Sequence, residues 1–231
     1  MSSVIPGWNA TDLWKNRAFE AIWGALYNAG VENERFARPF ARLVFGTDAA
    51  LIYRNLEVLR ELPDGSAVLD VPCGGGLALG ALSPEQRLRY IAADISPTML
   101  ERAERKARHL GLTGIEFVEA DIQALPFPAG EFDLCLCVNG LHCLPGPASA
   151  VRELARCLTP GGRLVGNCLV QGANQIGTTA VTVMRWGGIF GPGGTVDDVE
   201  RWFTDAGLRI ERLELSGAMA HFDVRKPSDT D

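Results

Sequence analysis

The chain has 231 residues, a formal net charge of −6 at pH 7 and 47% hydrophobic residues, so it can bury one substantial core and fits a single catalytic domain better than two independent ones. The negative charge disfavours a broad electrostatic grip on nucleic acid or anionic lipid, which requires a concentrated positive surface. No apolar run approaches membrane-spanning length and the amino terminus lacks the features of a signal peptide, so we expect a cytoplasmic protein without an integral membrane segment.

The first part of the chain is rich in aromatic residues. Residues 8–60 hold three of the five tryptophans, and Ile52, Leu56 and Leu59 recur there at helical spacing. We therefore predict an N-terminal helical cap over residues 1–62, followed by a core over residues 63–231. For any single aromatic side chain, ordinary core packing is the competing interpretation.

From Ser66 onward, short β-rich runs alternate with helical segments, as in a parallel sheet covered by helices on both faces. The five predicted parallel strands are residues 67–71, 89–93, 115–119, 132–138 and 163–170. The predicted helices are residues 96–110, 147–158 and 196–206. Two further alternating runs separated near Gly217 predict a C-terminal antiparallel hairpin. We expect an α/β fold with a doubly wound, seven-stranded, mainly parallel sheet.

A second segment interrupts this alternation. Residues 171–194 are rich in glycine and also carry Met184, Trp186, Ile189 and Phe190. This composition predicts a cap insertion that lies as a covering loop or short helix near the carboxyl ends of the strands.

The six cysteines are scattered without a CxxC spacing, so we expect reduced thiols. Cys135 and Cys137 alternate with apolar residues and are predicted to be small buried side chains of a central strand. Cys143 stands beside His142, but no carboxylate or second histidine lies at ligand spacing. We therefore predict no metal site.

The most informative stretch is VLDVPCGGGLAL, residues 68–79, in which an apolar strand enters a turn of three glycines. Glycines let the backbone approach a ligand where a Cβ would collide. Asp94 closes the next strand, as expected of a nucleoside site. The third position of a dinucleotide fingerprint requires glycine or alanine, but it is occupied by Leu79, which disfavours a nicotinamide cofactor.

The ordered motifs resemble those of the class I S-adenosylmethionine-dependent methyltransferases, from about Ser66 to the end of the hairpin. The matching stretches are VLDVPCGGG, AADISPTMLERA, VEADIQALPFPAGEFDLCLC and LTPGGRLV. The resemblance implies a Rossmann-like methyltransferase fold, S-adenosyl-L-methionine as cofactor and S-adenosyl-L-homocysteine as product. The cofactor-binding residues that it implies are Asp70, Cys73, Gly74, Gly76, Asp94, Ile95, Met99, Asp121, Ile122, Asn139 and, in the cap, Tyr27.

The two most specific of these residues have a physical basis and a competing interpretation. Asp94 can accept hydrogen bonds from both ribose hydroxyls; alternatively it is a helix-start acid, although Ser96 already offers that cap. Asp121 can accept from the adenine amino group, or it is a turn-forming aspartate. The family usually has glycine where this chain has Pro72. Proline has no backbone N–H to donate, so residues 73–76 must bind the ligand.

The segment CVNGLHCL after the fourth strand bears on the acceptor. It resembles the ubiquinone and menaquinone biosynthesis branch and related small-molecule enzymes, and it lacks the NPPY or DPPY tetrapeptide of nucleic-acid enzymes. His142 is the predicted catalytic general base, with a structural helix-start histidine as the equal alternative. His221, in the final strand, is predicted at the surface of an edge strand, with a position facing the pocket as the alternative.

These observations predict methyl transfer from S-adenosylmethionine by in-line displacement to an O, C or N atom of a small, apolar or aromatic acceptor. The partner is then a small molecule and not nucleic acid, and the protein is a monomer or homodimer. One alternative is a non-catalytic S-adenosylmethionine-binding protein with a regulatory or structural role. A nicotinamide oxidoreductase is a weaker one.

Overall fold

The computed structural model describes residues 41–172 and 190–228, together with the isolated residues 39, 179, 182 and 185. Most of the predicted cap, including Tyr27, and most of the 171–194 insertion lie outside the described residues. The predicted boundaries of both segments stay predictions.

The described chain forms a seven-stranded sheet with the order β3-β2-β1-β4-β5-β7-β6. Its strands are β1 (Ala67–Asp70), β2 (Arg89–Asp94), β3 (Ile115–Glu119), β4 (Phe132–Val138), β5 (Leu158–Leu169), β6 (Arg209–Ser216) and β7 (Met219–Arg225). The first five strands pair in parallel, whereas β7 runs antiparallel to both β5 and β6. The predicted fold class, with its C-terminal hairpin, is confirmed.

Four α-helices have both ends within the described residues: α1 (Ala50–Leu56), α2 (Pro97–His109), α3 (Pro147–Cys157) and α4 (Val196–Asp205). Short 3₁₀ helices cover Glu57–Glu61, Ala78–Ala81 and Leu141–Cys143. The start of α2 follows from local chemistry, since the Ser96 hydroxyl accepts a hydrogen bond from Met99 N at 3.1 Å and Pro97 occupies the first turn. The ends of α2, α3 and α4 lie within one residue of their predicted positions.

Two local features differ from the predicted elements. The fifth strand, predicted at residues 163–170, already begins at Leu158, which pairs with Phe132 before a register shift leads to the Arg163–Leu134 pair. In addition, the glycine turn leads into only the short 3₁₀ helix at Ala78–Ala81. Pro84 follows closely, and a proline disfavours helical geometry in the residue before it.

Helices cover both faces of the sheet, as the doubly wound pattern requires. On one face, α3 and α4 pack against side chains such as Leu69, Ile91, Cys135 and Cys137. On the opposite face, α2 and the chain around Leu56 and Leu59 pack against a second set that includes Val68, Tyr90, Leu134 and Val165. The buried positions of Cys135 and Cys137 are as predicted.

The prediction for His221 is wrong. β7 lies between β5 and β6, and His221 is fully buried at 0% exposure. The second strand of the hairpin inserts next to β5 and leaves the first strand, β6, at the edge. Sequence alternation does not reveal which strand of a hairpin becomes the edge.

Candidate cofactor-binding site

A cavity opens at the carboxyl ends of β1, β2 and β4. The strand order reverses between β1 and β4, and such a switch point is where open α/β sheets bind ligands. The cavity encloses about 1120 Å³ when its open mouth is counted. Nine of the predicted cofactor residues line it: Asp70, Cys73, Gly74, Asp94, Ile95, Met99, Asp121, Ile122 and Asn139.

Asp94 connects the two loops that form one wall of the cavity. One carboxylate oxygen accepts a hydrogen bond from Gly74 N at 2.8 Å, and the other accepts from Ser96 N at 3.0 Å. Both of these bonds come from backbone N–H groups, and they orient the buried carboxylate. Each oxygen retains acceptor capacity for a ligand hydroxyl.

The glycines of the turn serve two different purposes. Gly74 has a φ of +53° and lies open to the cavity, since a Cβ there would meet nothing within 4 Å. Gly76, with a φ of +85°, is not among the lining residues. A Cβ on Gly76 would lie 2.7 Å from Leu79 Cδ1 and 3.3 Å from Ala103. Gly76 therefore lets the turn pack closely against α2.

Pro72, the departure from the usual glycine, is accommodated by a glycine elsewhere. A Cβ added to Gly140 would lie 2.5 Å from Pro72 Cδ and 2.9 Å from Cys137 Sγ. The proline ring thus occupies the space that a side chain on the loop after β4 would need. Both residues line the cavity, so the pair shapes its wall.

Asp70 lies at the bottom of the site with a buried partner. The Tyr90 hydroxyl on β2 donates to Asp70 Oδ2 at 2.9 Å. Burial raises the pKa of Asp70 to about 7; the hydrogen bond from Tyr90 opposes this shift, and the charge of nearby Asp94 adds to it. A cationic ligand in the cavity would favour the ionised form of Asp70.

The side of the cavity predicted for adenine is mainly apolar. Met99 and Ile122 are buried at 5% exposure each, and Ile95 lies beside them in the lining. Asp121 is partly exposed, and its Oδ1 accepts from Gln123 N at 2.9 Å. The turn interpretation and the ligand interpretation of Asp121 are therefore compatible, because a carboxylate has further lone pairs.

Asn139 marks the far wall of the cavity, directly after β4. It has a φ of +55°, a left-handed conformation that costs energy for a residue with a side chain. Its N–H donates to Asn167 O at 3.1 Å, and its Oδ1 accepts from Asn167 Nδ2. These bonds join the end of β4 to β5 and direct the Asn139 side chain.

His142 is buried behind the cavity and is not one of its lining residues. Its Nδ1 accepts from Leu169 N at 3.3 Å, and its ring packs edge-on against Phe190 with centroids 4.6 Å apart. Burial lowers the pKa of His142 to about 3. The neutral ring then carries its proton on Nε2, so this arrangement favours the structural alternative. The general-base role stays a prediction.

Several residues at the site were missed by sequence reasoning. Tyr90 is the partner of Asp70, and nothing in its strand pattern distinguishes it from a core aromatic. Asn167 had a signal that was not used, since it is a polar residue within the apolar run of β5. Further lining residues come from the end of β4 and from the loops and short 3₁₀ helices that follow the strands, namely Val71, Leu77, Ala78, Ser96, Ala120, Val138, Cys143 and Leu144.

The charge of the side chains that line the cavity favours some ligands over others. Three carboxylates line it, and none of the described lining residues is lysine, arginine or histidine. A pyrophosphate-bearing dinucleotide would meet like charge there, whereas a nucleoside that carries positive charge would be attracted. The set of donors and acceptors therefore fits S-adenosylmethionine better than a nicotinamide dinucleotide.

Two features are absent from the part of the chain that the structure describes. Within residues 41–172 and 190–228, no group of three or more potential metal ligands is present. No helix in those ranges has the length and apolar character needed to cross a bilayer.

Comparison with known proteins agrees with this geometry. Residues 69–166 match the methyltransferase domain family. The demethylmenaquinone methyltransferase of Thermus thermophilus is 39% identical over 124 residues, which are 53% of this chain and 56% of that protein. The chain thus spans about half the length of this curated relative.

Two solved structures share the fold. Geranyl diphosphate methyltransferase in complex with S-adenosylmethionine superposes with a TM-score of 0.65 at 14% identity, covering 78% of this chain and 85% of that one. The [4+2]-cyclase SpnF superposes with a TM-score of 0.63 at 19% identity, covering 78% and 82%. At these identities the likeness establishes the architecture and leaves the reaction open.

Four observations agree with the resemblance to methyltransferases. They are the order of the motifs, the order of the strands, the carboxylate-lined cavity at the switch point and the family match. The resemblance predicted from the sequence is confirmed over residues 69–166, which match the methyltransferase domain family, and the chain is similar there to a demethylmenaquinone methyltransferase.

Proposed function

We propose that the protein transfers a methyl group from S-adenosylmethionine to an O, C or N atom of a small, apolar or aromatic acceptor. The observation that carries this proposal is Asp94, whose two oxygens are fixed at the cavity wall by Gly74 N and Ser96 N. A carboxylate held in this way suits a pair of ribose hydroxyls. The absence of basic side chains from the described lining supports a cationic nucleoside over a phosphorylated one.

Each group of residues at the site would bind a different part of the cofactor. Asp94 would hold the ribose, Ile95, Met99 and Ile122 would enclose the adenine, and Asp121 would accept from its amino group. Asp70, Cys73, Gly74 and Asn139 would face the methionine part, with Tyr27 of the cap closing over it. Gly76, predicted with this group, would act by allowing the turn to approach α2.

An apolar surface beside the cavity supports the proposed class of acceptor. Ile52, Leu169, Ala218 and Met219 form a buried cluster, against which Phe45, Leu77, Val138 and Phe190 pack. Leu77 and Val138 also line the cavity. An acceptor that lies on this cluster would therefore be next to the cofactor and would exclude water through apolar contacts.

The cofactor, when bound, supplies an activated methyl group on a sulfonium, so the protein's contribution is to position the acceptor in line and keep the site dry. Asn139, fixed by its bonds to Asn167, would orient groups at the junction of the two ligands. The apolar cluster would orient the acceptor. His142, if it acts as the base, would need to exchange its bond to Leu169 N for one to the acceptor.

The proposal is tested by measuring S-adenosylhomocysteine formation with a panel of phenols and quinols. Reduced demethylmenaquinone belongs in the panel because the Thermus relative is named for it. Turnover with an apolar aromatic acceptor, together with micromolar binding of S-adenosylmethionine, is the expected result. Binding of NAD(P) without binding of S-adenosylmethionine would overturn the proposal.

A second candidate is a protein that binds S-adenosylmethionine without transferring its methyl group. Its specific support is the structural likeness to a protein named as a cyclase. The cofactor site favours both candidates equally. Tight cofactor binding with no S-adenosylhomocysteine produced across the whole panel would favour this alternative.

We also propose that the protein acts in the cytoplasm, as a monomer or homodimer, on a small molecule and without nucleic acid. All six cysteines are free thiols, which supports a reducing compartment. The acidic lining of the cavity supports a ligand other than nucleic acid. Light scattering would measure the oligomeric state.

A further inference from the structure

Two polar residues lie opposite each other in the sheet next to the apolar cluster. Asn167 on β5 pairs directly with His221 on β7, so their side chains project from the same face of the sheet as neighbours. Both are fully buried, at 0% exposure. Each has one side-chain atom that is buried without a hydrogen-bond partner, namely Asn167 Oδ1 and His221 Nε2.

The hydrogen bonds of Asn55 determine which nitrogen of His221 carries the proton. Asn55 Oδ1 accepts from Arg212 Nη2 at 2.7 Å, and a guanidinium only donates. Asn55 Nδ2 therefore donates, to Gly166 O and to His221 Nδ1, both at 3.2 Å. Because Nδ1 accepts, the neutral ring holds its proton on Nε2. Burial lowers the pKa of His221 to about 4, so the neutral ring prevails near pH 7.

Asn167 presents the complementary group. Its Nδ2 donates to Asn139 Oδ1 and to Met219 Sδ, the latter at 3.1 Å. Its Oδ1 is thus an acceptor without a donor. The neighbouring pair therefore consists of one unpartnered donor, His221 Nε2–H, and one unpartnered acceptor, Asn167 Oδ1, which do not bond to each other.

A buried donor or acceptor that stays unpaired costs about 1–3 kcal/mol, so a ligand group that pairs with both atoms would bind favourably. The group that satisfies both has one oxygen that accepts from Nε2–H and donates to Oδ1. A hydroxyl does this, whereas a carbonyl or an ether oxygen can only accept.

The position of this pair connects it to the proposed reaction. Asn167 bonds directly to Asn139, which lines the cofactor cavity. Met219, which contacts Asn167, belongs to the apolar cluster beside the same cavity. Asn167 thus links the pair to the cofactor cavity, and Met219 links it to the apolar cluster.

We infer that Asn167 and His221 form a recognition site for a hydroxyl group of the methyl acceptor. This inference rests on the proposed function and narrows it to apolar acceptors that carry a protonated hydroxyl, such as phenols, enols and quinols. His221 is a positioning residue in this arrangement, because Nδ1 is occupied by Asn55 and Nε2 already holds its proton. It binds the hydroxyl and takes no proton from it.

The test compares binding of two probes of the same shape, 2-naphthol and 2-methylnaphthalene, by fluorescence titration in the presence of S-adenosylhomocysteine. We expect the wild-type protein to prefer the naphthol by about tenfold or more, since a site built for a hydroxyl leaves its polar groups unpaired around a methyl group. Equal affinities would overturn the inference, and the pair would then enclose at most a trapped water.

Two variants test whether the preference for 2-naphthol depends on Nε2 of His221. His221→Gln places an amide near the position of Nε2 and should keep the preference, whereas His221→Asn keeps a polar group facing Asn55 and should lose it. Retention of the preference in His221→Asn would overturn the inference. Binding of S-adenosylmethionine to the same samples reports separately on the proposed function, and it should be unchanged in both variants. The wild-type comparison decides the question even if a variant fails to fold.

Discussion

The two halves of the site are built in different ways. The cofactor half is assembled from chain segments that are close in sequence, and its ligand-facing carboxylate is held by the backbone N–H groups of Gly74 and Ser96. The proposed acceptor half contains two pairs from distant parts of the chain, Asn55 with His221 and Asn139 with Asn167, and each pair is joined through its side chains. Backbone-held sites tolerate change in side chains nearby, whereas a side-chain network depends on each member.

The largest effect is expected for Asp94→Ala, which tests whether the cofactor half depends on one carboxylate. The substitution removes the proposed ribose acceptor and leaves two backbone N–H groups unpaired. We expect the affinity for S-adenosylmethionine to fall by about 100-fold or more, corresponding to roughly 3 kcal/mol. Isothermal titration calorimetry measures this change.

Asp133→Ala is a matched control for Asp94→Ala. Asp133 also accepts a backbone hydrogen bond, from Ala67 N at 2.9 Å, but Ala67 begins β1 and therefore lies at the opposite end of that strand from the cavity. This variant should lose some stability and keep its cofactor affinity. Unchanged affinity in Asp94→Ala would refute the location of the cofactor.

A second prediction concerns the Pro72–Gly140 contact, where the two halves meet. In Gly140→Ala the added Cβ would lie 2.5 Å from Pro72 Cδ, and such overpacking typically costs 1–3 kcal/mol. We expect the affinity for S-adenosylmethionine to fall about tenfold and the melting temperature of the protein to decrease. The double variant Pro72→Gly with Gly140→Ala should recover part of both losses. Additive losses in the double variant would contradict this account.

A third prediction concerns pH and the buried Asp70. Its pKa is higher in the folded protein, at about 7, than the ordinary 3.8. Between these values the folded state binds a proton that the unfolded chain has released. The contribution of this bound proton to the stability of the folded state is thus complete below about pH 4, and it is lost as the pH rises to about 7.

Asp70→Asn cannot titrate, so its free energy of unfolding relative to wild type should rise by about 1 kcal/mol or more from pH 4.5 to 7.5. Urea unfolding at the two pH values measures this difference. Both proteins keep His142 and His221, whose contributions cancel in the comparison. A difference that does not vary with pH would contradict the raised pKa.

The smallest effect on activity is expected for His142→Asn. This variant tests whether His142 has a structural role or acts as the general base. The asparagine can accept from Leu169 N in place of Nδ1, so most of the activity should remain. His142→Phe lacks this acceptor and should be less stable by about 1–3 kcal/mol. A loss of kcat by 100-fold or more in His142→Asn, with unchanged stability, would instead identify His142 as the base.

The cofactor half could be predicted from the sequence because its determinants are local. A glycine turn after an apolar strand and an acid at the end of the next strand occupy set positions in a parallel sheet, and nine predicted residues do line the cavity. Gly76 differs because the space it must leave free is set by Ala103 on α2, a contact that no local pattern reveals.

The sequence by itself determined the fold class, most strand and helix positions and the carboxylates around the cavity, since periodicity and turn chemistry act over a few residues. Only the tertiary structure decided that β7 lies inside the sheet, that His221 faces Asn167, and that Tyr90 is the partner of Asp70. These relations depend on which strands become neighbours. Strand pairing joins residues far apart in the chain, and its outcome is set by the packing of the whole sheet.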